Sequence, residues 1–586
     1  MKRGLSFLFI LFAVTLSIAE AEAFTRQPAA AENGMVVSSQ HLASQVGVDI
    51  LKAGGNAIDA AVAVGYAMAV VNPCCGNLGG GGFATIRLAD GRTSFVNFRE
   101  KAPLAATPNM YLDAKGELIA DASLVGYLAV AVPGSVLGLD TMLTKFGTMD
   151  RATVMAPAIR LAEEGFTLTA GDAAILATAT KAFAEQPNVA AIFLKGGQPL
   201  REGDRLVQND LARTLKTIAE TGPDEFYRGS IAARIVAASQ ANGGILSKDD
   251  FGSYTVSETV PVECTYRGYT IHSAPPPSSG GTTLCLILNI VEAYPLRDWG
   301  YHSAQAVHAL AEAMRHAFVD RNFLLGDPDF INNPLGKLLS KDYAAKLRAA
   351  IKPEMAAPSV ELQQGKAPHE GDQTTHYSIV DTAGNAVAVT TTLNALFGAK
   401  VIAGDTGFFL NDEMDDFTTK PGAANLFGLV QGENNAIAPG KRPLSSMSPT
   451  IVTKDGKIFM VVGSPGGSRI ITIVAQVIID VIDYGMTIQE AVNAPRIHHQ
   501  WMPDQITIEP FALSADTMAL LAARGHKIVT QSPWGAAEAI LIGLPADAAA
   551  GNASSGNDAA RLGATIPGMR YGGHDDRRPA GSAAGH

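Results

Sequence analysis

The chain predicts a mixed α and β fold (α+β), with layers of sheet and helix packed on one another. Two observations carry that expectation. Helical spacing dominates residues 39–70 and 135–240, whereas strand-like runs occupy 83–98 and recur after Thr374. Glycine- and proline-rich junctions punctuate both kinds of segment.

Taken in order, Ser39 to Lys52 places Leu42, Val46 and Ile50 at helical spacing, and Gly54-Gly55 ends that helix. Ala57 to Val70 reads as a buried helix of small residues. Asn72 to Gly82 is a turn-rich loop closing on four glycines. Phe83-Ala-Thr-Ile-Arg-Leu and Thr93-Ser-Phe-Val-Asn-Phe form a hairpin across Asp90-Gly91. Pro275-Pro-Pro-Ser-Ser-Gly-Gly281 is a stiff loop ahead of an apolar helix. Tyr377 to Val380 and Ala386 to Leu393 flank a Gly384-Asn385 turn. Ile458 to Val462 is a buried strand, followed by Ser464-Pro-Gly-Gly-Ser468 and an apolar helix from Arg469 to Ile482. Residues 546–570, rich in Ala, Gly, Ser and Asn, read as a loose insertion. No internal repeat is evident.

The 586 residues are 47% hydrophobic and 17% charged, ordinary globular composition with ample material for a core. A net charge of −11 argues against nucleic acid or an anionic membrane surface as partner. Lys2 and Arg3, the apolar run Leu5 to Ile18 and the small-x-small site Ala21-Glu22-Ala23 read as a secretory signal over 1–23, with the mature chain starting at Phe24. The rival is an uncleaved anchor, for which the apolar run is short. Export is therefore expected, with the periplasm as destination in a bacterium with two membranes. Cys74, Cys75, Cys264 and Cys285 are too few for a disulfide scaffold, and their pairing is not readable.

Chemistry concentrates at Gln373-Thr374-Thr375-His376-Tyr377-Ser378, a hydroxyl nucleophile at a strand start after a loose polar stretch. Cleavage before Thr374 would free an α-amine, reference pKa about 7.7–8.0, to act as base for its own hydroxyl. The plain alternative is β-propensity. Gly466-Gly467, between a strand and a helix, suit either an oxyanion hole or a tight turn capped by Ser468. A phosphate cradle lacks the required spacing.

Asn411-Asp-Glu-Met-Asp-Asp-Phe417 could hold a substrate ammonium or a metal, or could be a solvated loop. It fits no calcium-loop or Cys/His ligand pattern, and no metal or cofactor is assigned. Arg99 could clamp a carboxylate or pair with Glu100 or another acid. Leu444-Ser-Ser-Met-Ser-Pro449 offers small donors before a strand. His498-His499 lacks zinc-enzyme spacing and reads as a structural pair near the surface.

Together these segments resemble the γ-glutamyltranspeptidase family of N-terminal-nucleophile hydrolases. The matching runs are Gly79-Gly-Gly-Gly-Phe83, Phe98-Arg-Glu100, the 275–281 loop, Gln373 to Ser378, Thr392-Leu-Asn394, Met414-Asp-Asp-Phe417, Pro443-Leu-Ser-Ser-Met-Ser-Pro449, Gly463-Ser-Pro-Gly-Gly-Ser468 and Ala494-Pro-Arg-Ile-His-His-Gln500. They run in order over residues 30–545.

The resemblance implies a four-layer αββα sandwich and a proenzyme that cuts itself between Gln373 and Thr374. Residues 24–373 would form the large subunit and 374–586 the small one. Thr374 would attack the γ-carbonyl of a γ-glutamyl donor such as glutathione, and would pass the acyl group to water, an amino acid or a peptide. Thr392 would orient the Thr374 hydroxyl. Arg99, Ser445 and Ser446 would hold the donor's α-carboxylate, while Asn394, Glu413 and Asp416 would hold its α-ammonium. Gly466 and Gly467 would supply the oxyanion N–H groups.

Two departures stand out. Phe427, in Asn425-Leu-Phe-Gly428, occupies the lid position where many bacterial members carry an aromatic hydroxyl, so a bond from the lid to Asn394 is lost and a looser lid is expected. The 546–570 insertion precedes a tail, Asp575-Asp-Arg-Arg-Pro579, longer than is usual in the family. The nearest rival is a cephalosporin (glutaryl) acylase, which would not need the ammonium pocket. The rival from another class is an exported binding protein that has lost catalysis.

Overall fold

A computed structural model of the chain describes residues 26–359, 374–544 and 565–586. The signal segment, Gln373 and most of the 546–570 insertion lie outside the described residues.

Two seven-stranded sheets, both antiparallel throughout, stack at the centre. The first runs in the order Ser582–Gly585, Met35–Ser38, Thr375–Val380, Ala386–Thr392, Gly81–Arg87, Thr93–Phe98, Ser257–Thr259. The second runs Ala29–Ala31, Arg570–His574, Glu538–Ile542, Lys457–Gly463, Thr450–Lys454, Tyr269–Ser273, Val262–Tyr266.

Alternation along the strands assigns the layers. In Thr375–Val380, Tyr377 and Ile379 join a core beneath the helices His41–Lys52, Ala57–Val71 and Ser135–Phe146. Met35, Val37, Val380, Ala388, Ile451, Val461 and Ile540 fill the space between the sheets. A third cluster lies under Gly280–Val291, Ala304–Leu324 and Ile470–Ile482 on the far face. The result is the expected αββα sandwich.

The helix expected over 57–70 forms as Ala57–Val71, with a capping box from Asn56 and Asp59. The glycine run is shared between loop and sheet, because the strand already begins at Gly81. The chain end departs more from expectation. Residues 546–570 were expected to be a loose insertion throughout, yet Arg570 opens a strand. That strand and Ser582–Gly585 place the tail in both sheets, so it is part of the architecture. Disulfides join Cys74 to Cys75, and Cys264 to Cys285 between a strand and a helix. Among the described residues, no helix is long and apolar enough to cross a membrane.

Candidate active site

The hairpin register assembles the first pair of groups. Val380 faces Ala386 across the Gly384 turn, and the pairing continues to Thr375 opposite Thr391. One further step places Thr374 beside Thr392, and their Oγ1 atoms lie 3.1 Å apart. Thr392 Oγ1 also accepts the Asn394 N–H at 2.8 Å. With that lone pair engaged, Thr392 can donate to Thr374 Oγ1 and leave the Thr374 proton free for a base. Thr374 has φ +89°, a region that β-branched residues rarely enter. The glycine run allows this packing: a Cβ on Gly80 would sit 2.0 Å from Thr392 O, and one on Gly79 would sit 2.1 Å from Phe409 O.

Beside the pair lies a narrow cleft. Arg99, Thr374, Thr392, Asn394, Glu413, Asp416, Ser445, Ser446 and Gly467 all line it, together with Phe427, Leu429, Met447 and Ile470. Gly466 adjoins Gly467 but is not on the lining.

The acidic segment is buried rather than solvated: Glu413 to Asp416 form a 3-10 turn. Asn411 holds it, accepting the Glu413 N–H and donating to Gly79 O and Ala131 O. Arg99 is 1% exposed, and its fork is filled by acids. Nη2 meets Asp416 Oδ2 at 2.5 Å, and Nη1 meets Glu413 Oε2 at 2.6 Å and Glu100 Oε2 at 3.4 Å. Nε donates to Pro443 O. Arg99 is thus ion-paired, and it also lines the cleft.

Burial pushes Glu413 well above the usual carboxylate range, against the pull of Arg99. Burial likewise raises Asp416, and raises Glu100 to about 7. Burial disfavours the charged form of Arg99, but Glu413, Glu100 and Asp416 outweigh it and hold the guanidinium protonated. The Asn394 side chain donates to Asp412 O at 3.1 Å.

The serine turn is fixed by the 275–281 loop. Ser279 donates N–H and Oγ–H to Ser445 O, and Ser278 Oγ donates to Met447 O. Ser445 Oγ accepts the Met447 N–H at 3.1 Å, and Ser446 Oγ accepts from Arg321 Nη2 at 3.1 Å. Among the described residues, neither serine hydroxyl donates to a protein acceptor, so both hydrogens remain available to a ligand. Arg321 was not anticipated: it sits in the last turn of Ala304–Leu324 with no local motif around it.

Gly466 and Gly467 have φ +136° and +56°, and neither N–H has a partner among the described residues. They stand just ahead of the helix Ile470–Ile482, where unpaired N–H groups and the helix dipole favour an anion. Ser468 does not cap that turn; it donates to Gln500 Oε1 at 2.6 Å.

Phe427 packs on Gly467, where an added Cβ would meet its ring at 2.4 Å. Residues 425–429, expected to form a lid, are tied down without a tyrosine. Leu426 N–H bonds Asp415 at 2.9 Å, Asn425 Oδ1 accepts from Phe427 N and Leu429 N, and Gln500 Nε2 donates to Phe427 O. His498 and His499 were expected near the surface and are instead buried. His498 bonds Thr472 and Gln500, and burial lowers it to about 3 and His499 to about 4, as suits neutral core histidines.

A hydroxyl nucleophile at the head of a central strand, in an αββα sandwich, beside an anion-favouring turn and a cleft carrying both charges, defines an N-terminal-nucleophile hydrolase. Residues 43–563 match the family model described as gamma-glutamyltranspeptidase, and the chain belongs to that family. A glutathione hydrolase proenzyme of Pseudomonas sp. strain A14 is 57% identical over 581 residues, covering 98% of each chain. Another from Escherichia coli K12 is 50% identical and covers 88% of this chain and 89% of its own. Among solved structures, a cephalosporin acylase from Bacillus halodurans superposes with a TM-score of 0.81 at 29% identity, covering 98% of this chain and 99% of its own.

Proposed function

We propose that this chain is an exported proenzyme that cleaves itself before Thr374 and then transfers or hydrolyses γ-glutamyl groups, with glutathione as a donor. The observation that carries the reading is the Thr374–Thr392 hydroxyl pair opening onto a cleft whose charged groups match both ends of a glutamyl unit.

In the precursor, Thr374 Oγ attacks the Gln373 carbonyl, the amide becomes an ester with the α-amine as leaving group, and water opens the ester. The positive φ of Thr374 favours this step, because release of the peptide link relieves the strained backbone. Residues 24–373 and 374–586 become the two subunits of one fold.

In turnover, the free α-amine takes the Thr374 proton as Oγ adds to the donor's γ-carbonyl. The oxyanion lies against the Gly466 and Gly467 N–H groups. The amine returns the proton to the leaving nitrogen, and a γ-glutamyl ester remains on Thr374. Water or an acceptor amine then gives up a proton to the same base and displaces Oγ, releasing glutamate or a new γ-glutamyl amide.

Arg99, Ser445 and Ser446 hold the α-carboxylate. Asn394, Glu413 and Asp416 hold the α-ammonium. A donor lacking either charge would leave buried partners unmatched, and that selects γ-glutamyl amides. Likeness to an acylase keeps a second reading in play, glutaryl transfer; the buried acids beside Arg99 favour an ammonium-bearing donor.

N-terminal sequencing of the purified protein, with Thr374→Ala as control, tests self-cleavage. Fragments starting at Phe24 and Thr374, the latter absent from the control, are expected. An intact chain in both would overturn the enzyme reading and favour a binding protein. γ-Glutamyl-anilide turnover well above glutaryl-anilide turnover is expected; the reverse would make the chain an acylase.

A further inference from the structure

Arg321 is 1% exposed, and among the described residues every hydrogen-bond partner of its guanidinium is neutral. Nε donates to Ser279 Oγ at 3.1 Å, Nη1 to Asn322 Oδ1 at 3.0 Å and Gln431 Oε1 at 2.7 Å, and Nη2 to Ser446 Oγ at 3.1 Å. Among the described residues no carboxylate forms an ion pair with it. Its contrast with Arg99, whose fork is filled by three acids, is sharp. Asp416 pulls on it electrostatically but is hydrogen-bonded to Arg99, so no carboxylate contacts Arg321, and a buried cation left without a contacting counter-ion is costly.

The route to that anion is short. Arg321 occupies a lone pair of Ser446 Oγ, which turns the Ser446 hydroxyl hydrogen toward another acceptor. Ser446 lines the cleft. Arg321 also donates to Ser279, whose Oγ and N–H fix Ser445 O. One buried guanidinium therefore sets both serines.

We infer that Arg321 is a positioning residue for the donor's α-carboxylate, holding Ser446 as a donor and supplying a positive charge, contacted by no carboxylate of the protein, that draws the donor's carboxylate between Arg99 and the serine pair. Burial pushes Arg321 down to about 10, which leaves it charged at neutral pH. This inference rests on the γ-glutamyl reading.

The test compares two donors on the self-cleaved enzyme: γ-glutamyl-p-nitroanilide, and its analogue with the α-carboxylate replaced by a carboxamide. Wild type is expected to prefer the first; failure to turn over either would overturn the functional reading itself. Arg321→Gln is expected to self-cleave and to lose about ten- to a hundredfold of that preference, the range for a lost charge-assisted hydrogen bond, through KM with kcat little changed. A preference equal to wild type, or equal KM increases for both donors, would overturn the inference, because a merely structural role does not distinguish them.

Arg321→Lys supplies a second arm if Arg321→Gln fails to self-cleave. A buried lysine deprotonates below its usual pKa, so KM for the carboxylate donor alone should begin to rise at a lower pH than in wild type, whose guanidinium stays charged until about 10. A rise at the same pH as in wild type would overturn the inference.

Discussion

Thr392→Val removes the hydroxyl that joins the nucleophile to its neighbours and keeps nearly the same shape. Two bonds are lost: the 3.1 Å contact to Thr374 Oγ1 and the 2.8 Å bond that Thr392 accepts from Asn394 N–H. The first is worth about 0.5–1.5 kcal/mol, and at about 1.4 kcal/mol per decade its loss slows the chemistry by roughly two- to tenfold. The second strands a buried N–H at about 1–3 kcal/mol. Asn394 is held at φ +75° on the cleft wall, so freeing its amide also displaces a residue that lines the site. Self-cleavage and anilide turnover should therefore both fall about tenfold or more, with a lower denaturant midpoint. Thr392→Ser retains the hydroxyl and loses one methyl, about 0.8 kcal/mol, so both rates should stay within about threefold of wild type. Denaturing gels over time give the cleavage rate, and p-nitroaniline release gives kcat. A valine variant that cleaves at the wild-type rate, or a serine variant as slow as valine, would refute the role assigned to the hydroxyl.

Asp416→Asn removes the strongest partner of Arg99 Nη2 and one acid facing the ammonium. The ratio of γ-glutamyl- to glutaryl-anilide kcat/KM should fall roughly ten- to a hundredfold; an unchanged ratio would place the ammonium elsewhere. Phe427→Tyr adds a hydroxyl over the site, and it should shift the ratio of transfer to hydrolysis measured with and without an acceptor dipeptide; an unmoved ratio counts against a lid role in partitioning. His498 is held at about 3 by burial, against about 6.5 unfolded, so its contribution is full above the unfolded value and is lost as pH falls toward the folded one. Between about pH 7.5 and about pH 5 wild type should lose about 2 kcal/mol more stability than His498→Gln. Equal losses in urea titrations would show that His498 is already charged or solvated.

Much of the site was legible because its parts carry local signatures. Periodicity and the Gly384 turn give the hairpin, while the pairing of Thr374 with Thr392 was implied only by the family resemblance; the observed register then carries Thr374 to Thr392. Gly466-Gly467 announce themselves as a break between an apolar strand and an apolar helix. What stayed hidden was tertiary. Nothing near Arg321 in sequence distinguishes it from a surface arginine of a helix; its meaning comes from Ser279, Gln431 and Ser446, each distant in the chain. The strands at 570–574 and 582–585 were missed because Gly572-Gly573 and the alanines of 583–584 have little strand propensity, and pairing across the sheet overrides it. His498-His499 looked like surface residues because the apolar shell around them belongs to other segments.

The charges of the cleft are balanced largely among themselves. Glu413, Asp416 and Glu100 converge on Arg99 and neutralise it from within, while burial holds Glu413 toward its protonated form. On the proposed reading, a glutamyl donor does not add charge to this arrangement; it exchanges for it. The α-carboxylate takes over donors of Arg99 and the two serines, and the α-ammonium takes over Glu413 and Asp416. A donor with only the carboxylate would separate Arg99 from acids it could not then satisfy, and one with only the ammonium would leave Arg99 and Arg321 both short of an anion. Selectivity for the zwitterion thus follows from the internal ion pairs themselves, because breaking them is compensated only when both charges arrive together.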